Sequence, residues 1–134
     1  MIKTSFLCIA LAVCFASGCA STDSQRKAPA QPKSVLRHVV LFQFNATTTP
    51  AQIKEIEDAF RALPAKIPGI ADLEWGTNVS PEKLSQGFTH CFFLTFYTAA
   101  ARDAYLPHPA HKAFGALLKG RLEKVLVVDY WTRE

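Results

Sequence analysis

A phenol, two imidazoles and two prolines lie within seven residues of this sequence, Tyr105-Leu106-Pro107-His108-Pro109-Ala110-His111. Pro109 suits the first position of a helix, because the N–H group that proline lacks would have no partner there. The helix predicted from Ala110 to Leu118 has an apolar face, and at about 100° per residue His111 lies about 20° from Leu118 on that face. We therefore expect His111 to point towards the core, either as a structural hydrogen-bonding group or as a base.

The rest of the domain follows a simple order of strands and helices. Runs with apolar alternation predict strands, and apolar residues at helical spacing predict helices. The predicted elements in chain order are the strand Leu36–Phe44, a helix from Pro50 to Leu63, the strands Ile70–Val79 and Thr89–Tyr97, the short helix Ala99–Tyr105, the helix Ala110–Leu118 and the strand Leu122–Trp131. Thr49-Pro50-Ala51-Gln52 has the pattern of a capping box at the first helix. The order β-α-β-β-α-β predicts an α+β, ferredoxin-like fold.

Three of the predicted strands are apolar on both faces, although helices cover only one face of such a sheet. On the first strand, Val39 and Leu41 lie on the face away from the predicted helices, and Phe93, Tyr97 and the last strand extend this surface. An identical subunit is the simplest cover for such a surface. We therefore expect a homodimer that forms through this sheet face.

The N-terminus has the pattern of a bacterial lipoprotein signal. Residues 1–18 contain a basic start and an apolar run from Phe6 to Ala16, which is too short to span a bilayer. Ala16-Ser17-Gly18-Cys19 resembles a lipobox, so we expect Cys19 to be lipidated; the alternative is an ordinary signal cleavage near Ala20. Residues 19–34 would then form a disordered tether, and residues 35–134 the folded domain.

These features predict a protein of the bacterial cell envelope, anchored to a membrane by lipid. Ala20, rather than an aspartate, follows the predicted lipidated cysteine, which resembles an outer-membrane address facing the periplasm. Once the signal is removed and Cys19 is acylated, Cys91 remains as the single thiol, so no intramolecular disulfide is expected.

Several classes of function lack their usual sequence features. The formal net charge is +4, but the basic residues are scattered, which argues against a nucleic-acid partner. The histidines have no accompanying cluster of cysteine or acidic residues, so we expect no metal. Glu55, Glu57 and Asp58 are predicted to lie on an outward helix face.

The remaining chemical groups are His38, Tyr105 and His111. We expect them to meet at one apolar pocket between helices and sheet, whose ligand-binding residues would be Phe42, Phe60, His108 and Phe114. An imidazole and a phenol beside such a pocket could transfer protons, with the imidazole as base and the phenol donating to a developing oxyanion. The alternative is that the three residues are core groups held by hydrogen bonds.

Several segments of the chain together resemble the Dabb family, the stress-responsive dimeric α/β-barrel proteins. They are His38-Val39-Val40-Leu41-Phe42-Gln43-Phe44, Trp75-Gly76, Thr89-His90, Tyr105–His111 and Val128-Asp129-Tyr130. The resemblance covers residues 35–134 and implies a ferredoxin-like protomer that pairs with a second sheet to form a dimeric barrel.

The resemblance also implies site residues, through a polyketide cyclase of this family that uses no metal or organic cofactor. His111 stands at the position of that enzyme's base, Tyr105 at its phenolic partner, and His38 at a further pocket histidine. Phe60 departs from the pattern, because the cyclase has a tyrosine at this position.

Three functions are therefore open at the level of sequence. The first is a small apolar-ligand-binding or stress-associated homodimer on the envelope. The second is a cofactor-free enzyme that transfers a proton on a carbonyl compound with His111 as base. The third is a purely structural or interaction module. A bound ligand would exclude the third, and turnover that depends on His111 would separate the first two.

Overall fold

A computed structural model describes residues 33–133 of the chain. The predicted signal peptide, Cys19 and the tether up to residue 32 lie outside the described residues. No helix within residues 33–133 is long and apolar enough to cross a membrane.

The described residues form a four-stranded antiparallel sheet with helices on one face, which confirms the predicted ferredoxin-like α+β fold. The strand order is β2-β3-β1-β4, so the first and third strands are central. The elements are β1 (Leu36–Phe44), α1 (Pro50–Arg61), α2 (Leu63–Lys66), β2 (Asp72–Thr77), β3 (His90–Phe96), α3 (Ala99–Tyr105), α4 (Pro109–Leu117) and β4 (Leu122–Trp131). The first helical region differs from the prediction, because the chain bends at Ala62 and continues as the separate short helix α2.

Side-chain caps mark the starts of α1 and α4. The Thr49 hydroxyl accepts a hydrogen bond from the Gln52 N–H at 3.3 Å, and the Gln52 side-chain oxygen accepts one from the Thr49 N–H at 2.9 Å. The capping box predicted from the sequence is therefore formed. At α4, His108 is the N-cap, Pro109 occupies the first helical position, and His108 Nδ1 accepts a hydrogen bond from the Ala110 N–H at 3.1 Å.

The core lies between the helices and one face of the sheet, and it is rich in aromatic rings. Phe60 of α1 stacks on Phe92 of β3 with their ring centroids 4.1 Å apart, and Phe42 of β1 lies 5.4 Å from Phe92. All three rings are buried. Stacking between α1 and the central strands therefore holds this helix on the sheet.

The opposite face of the sheet is uncovered in the described chain. Its central residues Val39, Leu41 and Phe93 are only half-buried, and β4 at the edge is exposed along almost its whole length. Leu126 and Val128 on that strand retain 43% and 45% of their accessible surface. The surface that the sequence predicts as a dimer interface is thus apolar and open.

Candidate functional site

A cavity of about 210 Å³ lies between the helices and the half of the sheet formed by β1 and β4. Its walls are apolar except at the histidines and the tyrosine. The lining residues are His38, Val40, Phe42, Phe60, Tyr105, Leu106, His111, Phe114, Gly115, Leu118, Val125 and Val127. The structure therefore brings the three predicted catalytic residues together with Phe42, Phe60 and Phe114.

His38, Tyr105 and His111 reach this cavity from three different elements. His38 lies on the helix-facing side of β1, Tyr105 ends α3, and His111 lies in the first turn of α4. The Tyr105 ring centroid is 4.2 Å from that of His111 and 5.6 Å from that of His38. The proline-containing turn between α3 and α4 thus places two of the three groups side by side.

His108, predicted as a ligand-binding residue, is not among the residues that line the cavity. Its imidazole accepts the Ala110 N–H and so caps α4. A capping acceptor at this position stabilises the first turn of the helix. The contribution of His108 to the site is therefore to hold the helix that carries His111.

The hydrogen bond of His111 determines which ring nitrogen can act as a base. His111 Nδ1 lies 2.9 Å from the carbonyl oxygen of Leu106. A carbonyl oxygen only accepts hydrogen bonds, so Nδ1 carries a proton and donates it. In the neutral ring, Nε2 then holds the free lone pair. No residue in the described part of the chain makes a hydrogen bond to Nε2, so it can accept a proton from a ligand.

Tyr105 is almost fully buried, yet its hydroxyl makes no hydrogen bond to any residue between 33 and 133. Its contacts are ring contacts, with His38, Phe96 and His111. Burial raises the pKa of the Tyr105 hydroxyl, so the phenol remains protonated at neutral pH. Within the described range the fully buried side-chain oxygen or nitrogen without a partner is Gln43 Oε1, so the Tyr105 hydroxyl is reached from the cavity. A ligand oxygen there could accept its hydrogen bond.

His38 is held by a carboxylate that the sequence analysis did not identify as part of the site. Its Nδ1 lies 2.6 Å from Asp129 Oδ1, and Arg102 bonds the other oxygen of the same carboxylate. Asp129 lies directly opposite His38 in the pairing of β1 with β4. The sequence signal is an acidic residue that interrupts the apolar run from Val125 to Trp131, but only the strand register connects it to His38.

The surroundings of His38, above all its burial, favour its neutral form. Burial, together with the nearby His111 and Arg102, lowers the pKa of His38 to about 4. The carboxylate of Asp129 alone would raise this pKa, but its charge is compensated by Arg102. His38 is therefore a neutral ring with Nδ1 protonated, and burial decides its charge.

A second buried histidine lies outside the cavity. His90 begins β3, and its Nε2 lies 3.0 Å from Glu57 Oε1. The prediction that Glu57 faces outward is wrong, because its side chain is 20% exposed whereas that of Asp58 is 50% exposed. Glu57 is one turn before Phe60, about 60° from it around the helix, and so lies beside the apolar face.

No group of three or more histidine, cysteine or acidic residues within the described range could hold a metal ion. Larger hollows exist on other surfaces, including one of about 350 Å³ beside Leu41 and Cys91. That hollow opens on the uncovered sheet face. The smaller cavity is the candidate site, because an imidazole nitrogen and a phenol hydroxyl that bond no described residue meet there.

The strand order, the helices on one face and this cavity define a ferredoxin-like protomer with a histidine–tyrosine site. The family model of the stress-responsive A/B barrel domain, Dabb, matches residues 36–132, so the chain belongs to this family.

Relatives and solved structures agree with this assignment. The chain is 38% identical over 100 residues to stress-response A/B barrel domain-containing protein HS1 of Arabidopsis thaliana, an alignment that covers 75% of this chain and 92% of that protein. It is 31% identical over 99 residues to olivetolic acid cyclase of Cannabis sativa, covering 74% of this chain and 98% of the cyclase. Hydroxynitrile lyase from Passiflora edulis has a similar structure, with a TM-score of 0.72 and 27% identity over 77% of this chain and 97% of the lyase chain.

Three further structural neighbours are described as dimeric ferredoxin-like proteins of unknown function. Their TM-scores are 0.59, 0.62 and 0.63, with identities of 28%, 29% and 26%. Each alignment covers 72% of this chain and at least 90% of the neighbour. The fold of this chain is thus one that occurs in dimers.

Proposed function

We propose that the cavity binds a small neutral carbonyl compound and that His111 transfers a proton to and from the carbon beside the carbonyl. The observation that carries this proposal is that Tyr105 and His111 present to an apolar cavity a hydroxyl and a ring nitrogen that bond no described residue. A ligand oxygen would accept a hydrogen bond from the Tyr105 hydroxyl, and an acidic C–H group of the ligand would give His111 Nε2 a proton to accept.

The volume of the cavity indicates the size of the ligand. An apolar cavity of about 150 Å³ accommodates benzene. A cavity of about 210 Å³ therefore suits one ring with a few further heavy atoms. Its walls favour an uncharged compound, because an ion would lose its hydration there without a partner of opposite charge in the wall.

The proposed reaction needs only these side chains. His111 Nε2 removes a proton from the carbon next to the carbonyl, so that the C–H bond breaks and its electron pair moves into an enolate. The Tyr105 hydroxyl donates a hydrogen bond to the enolate oxygen, where the negative charge develops. Return of the proton to this carbon, or to another position, restores neutral His111.

The relatives support a chemical role for this kind of site. Two of the similar proteins carry the names of enzymes, a cyclase and a lyase. Ligand binding without chemistry is the other function that the sequence predicts, and both functions need the same cavity. A measurement of proton transfer separates them.

Hydrogen–deuterium exchange tests the proposal without knowledge of the natural substrate. The full chain is incubated with phenylacetone in D₂O, and loss of the proton signal beside the carbonyl is followed by NMR. We expect exchange above the buffer rate, reduced to that rate in His111→Ala and strongly reduced in Tyr105→Phe. His108→Asn is the matched control, because it removes an imidazole three residues away while asparagine keeps the helix cap. Equal exchange in His111→Ala and the unchanged protein would overturn the proposal. If the protein binds phenylacetone without exchange, its function is ligand binding and not proton transfer.

We further propose that the protein is a homodimer tethered to the cell envelope by a lipid on Cys19. The dimer is supported by the open apolar sheet face and by the dimeric neighbours. The anchor is supported by the sequence Ala16-Ser17-Gly18-Cys19 after an apolar run, and Ala20 suggests the outer membrane. Mass spectrometry of the native mature protein should find an acylated Cys19 as the first residue. A product that begins at Ala20 without lipid would contradict the anchor.

A further inference from the structure

A partly buried acid–histidine pair, Glu57 and His90, lies next to the cavity but does not line it. His90 is 8% exposed, and its Nε2 lies 3.0 Å from the Glu57 carboxylate. A carboxylate accepts hydrogen bonds, so Nε2 carries the proton of this contact. The other ring nitrogen, Nδ1, is 2.8 Å from the Thr89 hydroxyl. Both nitrogens of His90 are therefore engaged, and the pair joins α1 to the start of β3.

This pair is one of two successive contacts between α1 and β3. Phe60 stacks on Phe92 at 4.1 Å, and Glu57 meets His90 two residues earlier on the strand. Three residues of helix rise about 4.5 Å and two residues of strand about 6.7 Å, so the contacts follow each other along both elements. The Glu57–His90 contact thus adds a second point, next to the Phe60–Phe92 stack, at which α1 is held along this strand.

The same network also holds the second aromatic wall of the cavity. The Thr89 N–H donates a hydrogen bond to the carbonyl oxygen of Phe42 at 2.9 Å, and His90 lies directly opposite Phe42 in the sheet. Phe42 and Phe60 both line the cavity, with their ring centroids 6.1 Å apart. Phe42 is four residues along β1 from His38, a distance of about 13 Å. These two rings therefore form the end of the cavity that is remote from His38.

We infer that the Glu57–His90 pair is a specificity determinant: it holds Phe60 against Phe42, closes this end of the cavity, and restricts the ligand to a single ring with a short substituent. The inference rests on the proposed function, because it requires that the cavity binds a ligand. Glu57 and His90 are positioning residues, since they act through Phe60 and Phe42.

Two probes of different length test the inference in the full chain. They are phenylacetone and its 4-butyl derivative, and the quantity measured is the ratio of their dissociation constants. The unchanged protein should prefer phenylacetone. In Glu57→Ala the preference should shift towards the butyl compound by about tenfold or more, because an apolar pocket that gains or loses room for a methylene changes affinity by this order. If Glu57→Ala does not fold, Glu57→Asp, which retracts the carboxylate by one methylene, should shift the ratio in the same direction.

Two variants separate positioning from a general loss of stability. Glu57→Gln keeps an oxygen that accepts the Nε2 proton, and it should restore the ratio of the unchanged protein. Asp58→Ala is the matched control, since it removes a neighbouring carboxylate whose ion-pair partners within residues 33–133 are Lys54 and Arg61 of the same helix. An unchanged ratio in Glu57→Ala, or an equal shift in Asp58→Ala, would overturn the inference while the cavity still binds both probes. If the unchanged protein binds neither compound, the proposed function itself fails.

Discussion

Acid should weaken this protein through His38, and the structure fixes both the direction and the size of the effect. Burial, with a smaller effect of His111 and Arg102, lowers the pKa of His38 from an ordinary value of 6.5 to about 4. Between these two pH values the unfolded chain binds a proton at His38 and the folded chain does not. The free energy of unfolding therefore falls as the pH drops through 6.5, and this loss ends near pH 4, where the folded protein also binds the proton.

The size of the effect follows from the shift. One pKa unit corresponds to about 1.4 kcal/mol. The shift from 6.5 to about 4 is thus worth about 3–3.5 kcal/mol of stability. The free energy of unfolding of a typical protein is about 5–15 kcal/mol, so a loss of this size should be easy to measure.

The assay compares the unchanged protein with His38→Gln, which does not titrate and can still donate a hydrogen bond to Asp129. Urea unfolding is followed by tryptophan fluorescence at pH values from 7.5 to 4, with protein concentration and salt held constant. Other titrating groups contribute to both curves, so the difference between the proteins reports His38. We expect the unchanged protein to lose up to about 3 kcal/mol more than the variant. Parallel curves for the two proteins would refute the assignment of a neutral, buried His38.

Three further perturbations test the core, the loop before β3 and the sheet face. Phe114→Ala truncates a core residue and should lower the free energy of unfolding in urea by about 3–5 kcal/mol. His111→Ala should lower it clearly less, but should weaken phenylacetone binding. Equal losses of stability with unchanged binding would mean that His111 is only a core residue. Gly87→Ala should destabilise the protein by about 1–3 kcal/mol in the same assay, because Gly87 has a φ of +90° and an added Cβ would lie 2.6 Å from the side chain of Gln43. Phe93→Asp should convert a dimer into a monomer in sedimentation at micromolar concentration, since it places a charge on the open apolar face; a monomer before substitution would contradict the predicted interface.

Features that depend on neighbours in the chain could be predicted from the sequence. The capping box at Thr49 and the helix start at Pro109 involve groups within three residues of each other. The strands follow from alternation, because side chains of successive strand residues point to opposite faces. The meeting of Tyr105 and His111 is nearly local as well, since one turn joins their helices.

The position of Glu57 shows a partial signal that the sequence analysis missed. A charged residue at the margin of a helical apolar face can point to solvent or to the protein interior, and the sequence of its own helix does not decide between them. The outcome depends on His90, which is 33 residues further along the chain. A buried carboxylate needs a partner, and only the packing of α1 on β3 provides one.

The sequence by itself determined the order of the elements, the two-sided apolar strands and the imidazole and phenol groups that could do chemistry, because these depend on residue type and periodicity. Only the tertiary structure decided how those groups are held. Asp129 reaches His38 across 91 residues through strand register, and a shift of one residue would turn Asp129 to the other face of the sheet. Likewise, the proton on His111 Nδ1 follows from the position of a single backbone carbonyl, that of Leu106. Register and hydrogen-bond geometry depend on how distant segments pack, and no local pattern of residue types specifies them.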